Sequence, residues 1–317
     1  MRMSFRGVTV REALLLQGPA GWGEFSPFLE YDDVEAVSWL AAAVEAAYDG
    51  WPQPVRDLVP VNATVPAVPA DAVPAVLARF PGCTTAKVKV AQAGQALHDD
   101  VARVAAVRDV LGPTGRIRVD ANGAWSAADA VRALTSLAPY GLEYAEQPCA
   151  SVPDLAHLRV ALARAGVDVP VAADESVRKA ADPERLLLAE AADVVVLKVA
   201  PLGGVRRCLA VAEACGLPVV VSSALDTSVG LAAGVALARA LPELPYACGL
   251  GTAALLARDV AEPGLLPLAG ELPGRVVRPD DALLAELRAP RERQAWWHER
   301  LHRCTGLLAS SMATGAA

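Results

Sequence analysis

The sequence predicts an α/β fold: a (β/α)8-type barrel with a smaller α+β capping domain formed by both chain ends. Two observations carry that prediction. From about residue 59, short β-branched runs alternate with Ala/Leu-rich amphipathic stretches, the rhythm of βα units in a parallel sheet. Eight such runs occur, spaced by roughly 25–30 residues, which fits a closed barrel better than an open sheet.

Ahead of this rhythm, residues 5–30 alternate and carry Gly18, Gly21 and Gly23, which predicts a small antiparallel element, and residues 33–48 read as a helix. The barrel strands are expected at 59–64, 85–90, 116–120, 142–146, 169–174, 193–199, 217–223 and 245–250. Helix starts are marked by Ser126 and by Asp182-Pro183. Beyond residue 270, residues 275–279 read as a strand and 281–302 as a helix. The expected division is a capping domain from 1–58 and 270–303, a catalytic barrel from 59–269, and a disordered tail from 304–317.

The 317 residues are 54% hydrophobic and carry a net charge of −7, so the chain builds a large core and offers no basic face for nucleic acid. Charges interrupt every apolar stretch before it reaches membrane-spanning length, and the opening residues hold no signal-peptide run. The six cysteines (Cys83, Cys149, Cys208, Cys215, Cys248, Cys304) form no C-x-x-C pair and read as reduced, buried hydrophobes, which predicts a cytoplasmic protein. Oligomeric state is not written in these features.

The chemistry begins with T-A-K-V-K-V-A at 85–91. Alternation points Lys87 and Lys89 to one side of a strand and Val88 and Val90 to the other. Two neighbouring ammonium groups near a core are costly unless compensated or used. The next strands end in Asp120, Glu146 and Asp174, and the sixth ends in Lys198. Strand C-termini converge on one mouth of such a barrel. Any one of these residues is an ordinary strand-end ion pair; five on successive strands point to a site. Three converging carboxylates call for a cation, and oxygen-only ligands select Mg²⁺, with Mn²⁺ as the alternative. None of the four histidines ends a strand, which speaks against zinc. A divalent ion on a substrate carboxylate lowers the cost of removing the adjacent proton. Lys89, with Lys87 as a like charge beside it, suits the base; Lys198 suits a second acid/base or a cation steadying the anionic intermediate. The expected partner is therefore a small-molecule carboxylate. Schiff-base chemistry at Lys198 would leave the carboxylates without a role.

The motifs K-V-K, V-D-A-N-G-A-W, Y-A-E-Q-P, A-A-D-E-S and V-V-V-L-K-V-A-P-L-G-G resemble the enolase superfamily in its muconate-lactonising subgroup. Further stretches, including G-W-G-E-F-S-P-F-L-E-Y, V-V-S-S-A-L-D-T-S-V-G-L and A-C-G-L-G-T, resemble the actinobacterial o-succinylbenzoate synthase family. The resemblance starts at Phe5, so the first strand of the small domain is short or the natural start lies upstream. It implies a lyase of menaquinone biosynthesis that dehydrates 2-succinyl-6-hydroxy-2,4-cyclohexadiene-1-carboxylate to o-succinylbenzoate. It also implies Lys89 as the base that then protonates the departing hydroxyl, Lys87 as its tuning partner, and Lys198 as a cation over the ring. Asp120, Glu146 and Asp174 are the implied Mg²⁺ ligands.

Substrate contacts are expected at Asn122, Ser222 and Ser223, although Asn-Gly also suits a turn and strand-end serines often cap helices. Glu175 is expected to support the ligand face from behind. Phe25 and Phe28 read as an apolar lid or as small-domain core. Racemases of N-succinylamino acids on this scaffold resemble one another in an arginine three residues after the sixth-strand lysine; that position is Pro201 here. Dipeptide epimerases resemble one another in an acidic pair near the eighth strand, where this chain has A-C-G-L-G-T. Both departures favour the dehydratase, with racemase or epimerase as the alternative.

Overall fold

The computed structural model describes residues 1–2, 7–178 and 190–315; Phe5, Arg6 and the expected helix start at Asp182-Pro183 lie outside them. Strands β1 (Leu14–Gly18) and β2 (Gly21–Phe25) form an antiparallel hairpin with Leu14 opposite Phe25. Helix α1 (Asp33–Val44) follows, capped by Asp32, whose carboxylate accepts the Glu35 N–H, and it widens into a π-turn over Glu45–Asp49. The hairpin lies so close to α1 that a Cβ at Gly23 would meet the Ala43 carbonyl oxygen at 2.0 Å, which requires glycine there.

β3 (Leu58–Pro60) belongs to the periphery: it pairs antiparallel with residues Glu271–Pro273. The barrel itself starts at β4 (Ala63–Val65) and continues through β5 (Thr85–Lys89), β6 (Arg116–Asp120), β7 (Leu142–Glu146), β8 (Val171–Ala173), β9 (Val194–Lys198) and β10 (Val219–Ser222). These seven strands are parallel and hydrogen-bonded in the order β10-β9-β8-β7-β6-β5-β4. Side-chain alternation divides the core. Val88, Val119, Ala145 and Leu197 belong to the large apolar cluster that includes Val104, Leu134 and Leu158 of the surrounding helices. Tyr144, Ala172, Val194, Val196 and Val220 fill the lumen as a separate small cluster. Arg118 crosses that lumen, donating to Glu143, Asn62 and the Ala247 carbonyl, with its guanidinium 4.8 Å from the Tyr144 ring centre.

The expected eighth strand at 245–250 is not a regular strand. Closure is made by two isolated parallel bridges, Val61 with Cys248 and Ser222 with Gly249, and by backbone bonds such as Asn62 N–H to Cys248 O (2.9 Å) and Gly249 N–H to Val221 O (2.8 Å). Pro245 lacks a ladder donor, and a Cβ at Gly249 would lie 2.5 Å from Ser222 Oγ, so the chain passes too close to β10 for an ordinary side chain. The expected run at 59–64 is split, because Pro60 pairs with Glu271 whereas Ala63 already pairs with Ala86. Residues 275–279 form no strand; Val276 is exposed, and the pairing is made by Glu271–Pro273 instead. The expected helix at 281–302 is two helices, Asp281–Glu286 and Arg291–Gly315, because Pro290 cannot continue the first and opens the second.

That last helix also overrides the unstructured tail expected from residue 304. Cys304 is fully buried and Leu308 packs on the core, which extends the apolar stripe past that point. Trp297 of the same helix meets Phe25 edge-on at 5.8 Å, tying the chain end to the hairpin. No disulfide joins the six cysteines; five are buried and Cys83 is half-buried. Among the described residues no helix is long and apolar enough to cross a membrane.

Candidate active site

Register sets the site. Lys89 is opposite Asp120, Asp120 is opposite Glu146, and Lys198 is opposite Ser222, all at the C-terminal ends of their strands. β5 and β9 are separated by three strands in a sheet that closes, so Lys89 and Lys198 approach the lumen from opposite walls. Asp120, Glu146 and Asp174 are each no more than 1% exposed.

The Lys87 ammonium donates to both oxygens of Glu146, at 2.8 and 3.1 Å, and lies 3.3 Å from Asp120. Lys89 donates to Asp120 and, at 2.8 Å, to the side-chain oxygen of Asn122. Lys198 pairs with Asp174. Ammonium groups are thus interleaved between the carboxylates, and among the described residues no three acidic, imidazole or thiol groups are gathered around one point.

Charge and burial divide these groups. Burial favours the neutral amine at Lys87, but Glu146 and Asp120 outweigh it and hold its pKa above the ordinary lysine value. At Lys89 burial wins, helped by the neighbouring Lys87 charge and opposed by Asp120, and the pKa falls below the ordinary value. Burial would raise Asp120, but Lys89 and Lys87 keep it well below the usual carboxylate range. Glu146 is pushed up to about 7 by burial, then by Asp120 and Asp174, against the pull of Lys87.

Asn122 sits in the left-handed region at φ 48° and is locked from two sides: its backbone N–H donates to Asp120 at 3.0 Å and its side-chain NH₂ to Glu175 at 3.2 Å. Glu175 therefore stands behind Asn122, which in turn holds Lys89. Sequence reading missed Gln147, although it stands in the quoted Y-A-E-Q-P. Held at φ 37°, its side-chain oxygen accepts the backbone N–H of Asp174 (2.9 Å) and of Ser176 (3.2 Å), while its NH₂ donates to the Cys149 carbonyl (2.9 Å) and Ser176 Oγ (2.6 Å). It fixes the turn that presents Asp174. The available signal was a polar residue directly after a strand-end carboxylate and directly before proline.

A cavity of about 30 Å³ lies over the ammonium groups. Lys87, Lys89, Lys198, Ser222 and Ser223 line it from the barrel; Phe28, Tyr31 and Trp39 line it from the cap. Ser222 is thus on the wall; Ser223 is also bound to Thr252 Oγ1 at 2.7 Å and to the Gly249 carbonyl at 3.0 Å. Phe25 lies apart from the cavity, fully buried against Trp297 in the cap. Tyr31 and Trp39, on the wall, escaped sequence reading because their positions follow from packing of the cap on the barrel; Thr64 of β4 and Thr252 were also missed, and they reach the wall from the barrel. Arg11 fastens that contact: it donates to Ser26 Oγ (3.0 Å) and to the carbonyls of Ala224 (3.3 Å) and Leu225 (3.2 Å), and lies 4.6 Å from the Phe28 ring centre.

Residues 72–280 match the family described as enolase C-terminal domain-like, and residues 1–47 match enolase N-terminal domain-like. An o-succinylbenzoate synthase of Thermobifida fusca is 60% identical over 301 residues, covering 95% of this chain and 92% of that protein. One from Mycolicibacterium smegmatis is 58% identical over 309 residues, covering 97% and 94%. Among solved structures, muconate lactonizing enzyme from Pseudomonas fluorescens in complex with muconolactone aligns with a TM-score of 0.71 at 24% identity, over 85% of this chain and 88% of that one, which speaks for the fold. With such identity over almost its whole length, the chain belongs to the o-succinylbenzoate synthase family of the enolase superfamily.

Proposed function

We propose that this chain is a lyase that dehydrates 2-succinyl-6-hydroxy-2,4-cyclohexadiene-1-carboxylate to o-succinylbenzoate, a step of menaquinone synthesis. The observation that carries the reading is the placement of Lys89 and Lys198 on opposite walls of one cavity, each held by a strand-end carboxylate, in a chain 60% identical to a synthase of that name. Lys89, with its lowered pKa, takes the proton from the ring carbon that bears the carboxylate. Its ammonium form returns a proton to the departing hydroxyl on the same face, so water leaves and the ring becomes aromatic. Lys87 holds Glu146, adds like charge beside Lys89 and faces the substrate carboxylate. Lys198 lies across the ring as a cation over a π system. Ser222, on the same wall, is placed to meet the substrate's arm.

The donor set is all oxygen, as a hard divalent cation requires, while here Lys87, Lys89 and Lys198 occupy the places between its carboxylates. Three buried carboxylates end neighbouring strands, and Glu146 is pushed up to about 7 by burial and its acidic neighbours, so the cluster gains from added positive charge. Asp120, Glu146 and Asp174 would hold Mg²⁺, the usual ion of this superfamily, or Mn²⁺. When bound, the ion offsets the negative charge that develops on the substrate carboxylate as the proton leaves. A cytoplasmic location fits an enzyme acting on a soluble carboxylate.

The same two lysines suit racemisation of an N-succinylamino acid, in which one removes a proton and the other returns it. The two readings separate in one experiment. Purified protein with Mg²⁺ is given each substrate in turn; loss of diene absorbance faster than loss of optical rotation supports the dehydratase, and the reverse order overturns it.

A further inference from the structure

Among the described residues, two polar atoms of side chains in the cavity wall are buried without a hydrogen-bond partner: the indole Nε1 of Trp39 and Oγ1 of Thr64. Trp39 is fully buried and Thr64 is 1% exposed. A buried donor with no acceptor is costly, and buried tryptophan normally finds one. The packing does not need that donor. Trp39 meets Phe28 edge-on at 5.9 Å and Tyr31 at 6.3 Å, contacts that a phenylalanine ring would also make. The N–H therefore remains available to a ligand group at this cavity, whose closed volume of about 30 Å³ is near that of one water, so a larger ligand must part its walls.

Position says which end of the occupant it meets. Thr64 is in register with Lys87 on the barrel side, where the reacting carboxylate belongs. Trp39 reaches the cavity from α1 in the cap, whereas the ammonium groups reach it from the barrel. The Arg11 guanidinium lies 5.8 Å from the Trp39 ring; its own donors go to Ser26, Ala224 and Leu225, and the Glu24 and Asp226 carboxyls act on it from nearby. We infer that Trp39 is a specificity-determining residue whose indole N–H binds the terminal carboxylate of the substrate's succinyl arm. This rests on the dehydratase reading and adds to it the residue that recognises the arm.

The test measures dissociation constants by calorimetry, with Mg²⁺ present, for o-succinylbenzoate and for 2-butanoylbenzoate, which keeps the ring and ketone but lacks the terminal carboxylate. Trp39→Phe weakens o-succinylbenzoate binding about ten- to a hundredfold, the range for losing a hydrogen bond to a charged acceptor, and leaves 2-butanoylbenzoate within about threefold. A second readout uses the wild-type protein: on titration with o-succinylbenzoate, one of the six indole N–H resonances moves downfield, and it stays in place with 2-butanoylbenzoate. Equal losses for both ligands on substitution, or a stationary indole signal, overturn the inference while leaving the dehydratase reading intact. Wild-type protein that binds neither compound overturns both.

Discussion

Lys87 and Lys89 stand two residues apart on one strand, yet their proton affinities are driven in opposite directions. Lys87 is committed to Glu146 and Asp120 and is held charged; Lys89, equally buried and beside that charge, is pushed toward the neutral amine. One strand thereby carries a lysine held charged and a lysine driven toward its neutral form, and the contrast arises because Asp120 and Glu146 end the next two strands in register.

Glu146→Gln keeps the shape of the Glu146 side chain but removes its charge. Mg²⁺ affinity measured by calorimetry should fall at least about tenfold, since a ligand change exceeds the tenfold lower bound for supporting residues. Turnover should fall with it and recover partly at high Mg²⁺. Chelation of the wild-type protein should abolish activity, and added Mg²⁺ should restore it. Unchanged affinity would remove Glu146 from the metal site.

Gln147→Ala leaves the backbone N–H groups of Asp174 and Ser176 without their acceptor. The expected loss is about 1–3 kcal/mol in denaturant-derived stability, together with weaker Mg²⁺ binding because Asp174 is no longer fixed. A stable variant with normal metal affinity would show that the turn holds without it.

The hairpin reaches the barrel through Glu24, which accepts the backbone N–H groups of Thr227 (3.1 Å) and Gly230 (3.0 Å) at the start of helix Ser228–Ala240. Burial and then the Asp226 charge push Glu24 up to about 7, against the pull of Ser26, Thr227 and Arg11. Asp226 is raised as well, by burial above all. A raised carboxylate binds more protons in the folded state than in the unfolded one, so this pair makes stability fall as pH rises from the unfolded value of about 4.3 through about 7. Denaturant midpoints across that window should decline with pH, and Glu24→Gln should flatten the slope. A slope unchanged by the substitution would assign the pH dependence to other groups.

Much of this was legible because the barrel repeats. Lys87, Lys89, Asp120, Glu146 and Lys198 declare their shared face through strict alternation with valine, alanine and leucine, and strand-end position then fixes their common mouth. Local rules fail where distant segments decide. The stretch at 245–250 looks like a strand, yet Pro245 and the close pass of Gly249 over Ser222 reduce it to bridges. Trp39 reads as an ordinary helix residue until the cap is seated on the barrel, and the Glu24–Thr227 contact joins residues 203 apart in sequence. Gln147 was hidden for another reason: its role depends on a left-handed backbone that the sequence does not announce.

The central claim is that Lys89 removes the proton, and the rate of diene loss in Lys89→Ala tests it most directly. Turnover should drop by about a thousandfold or more, at the scale of a lost general base, while calorimetry still shows Mg²⁺ binding. A variant that turns over within about tenfold of the wild type, well short of that scale, would place the base elsewhere and contradict the account.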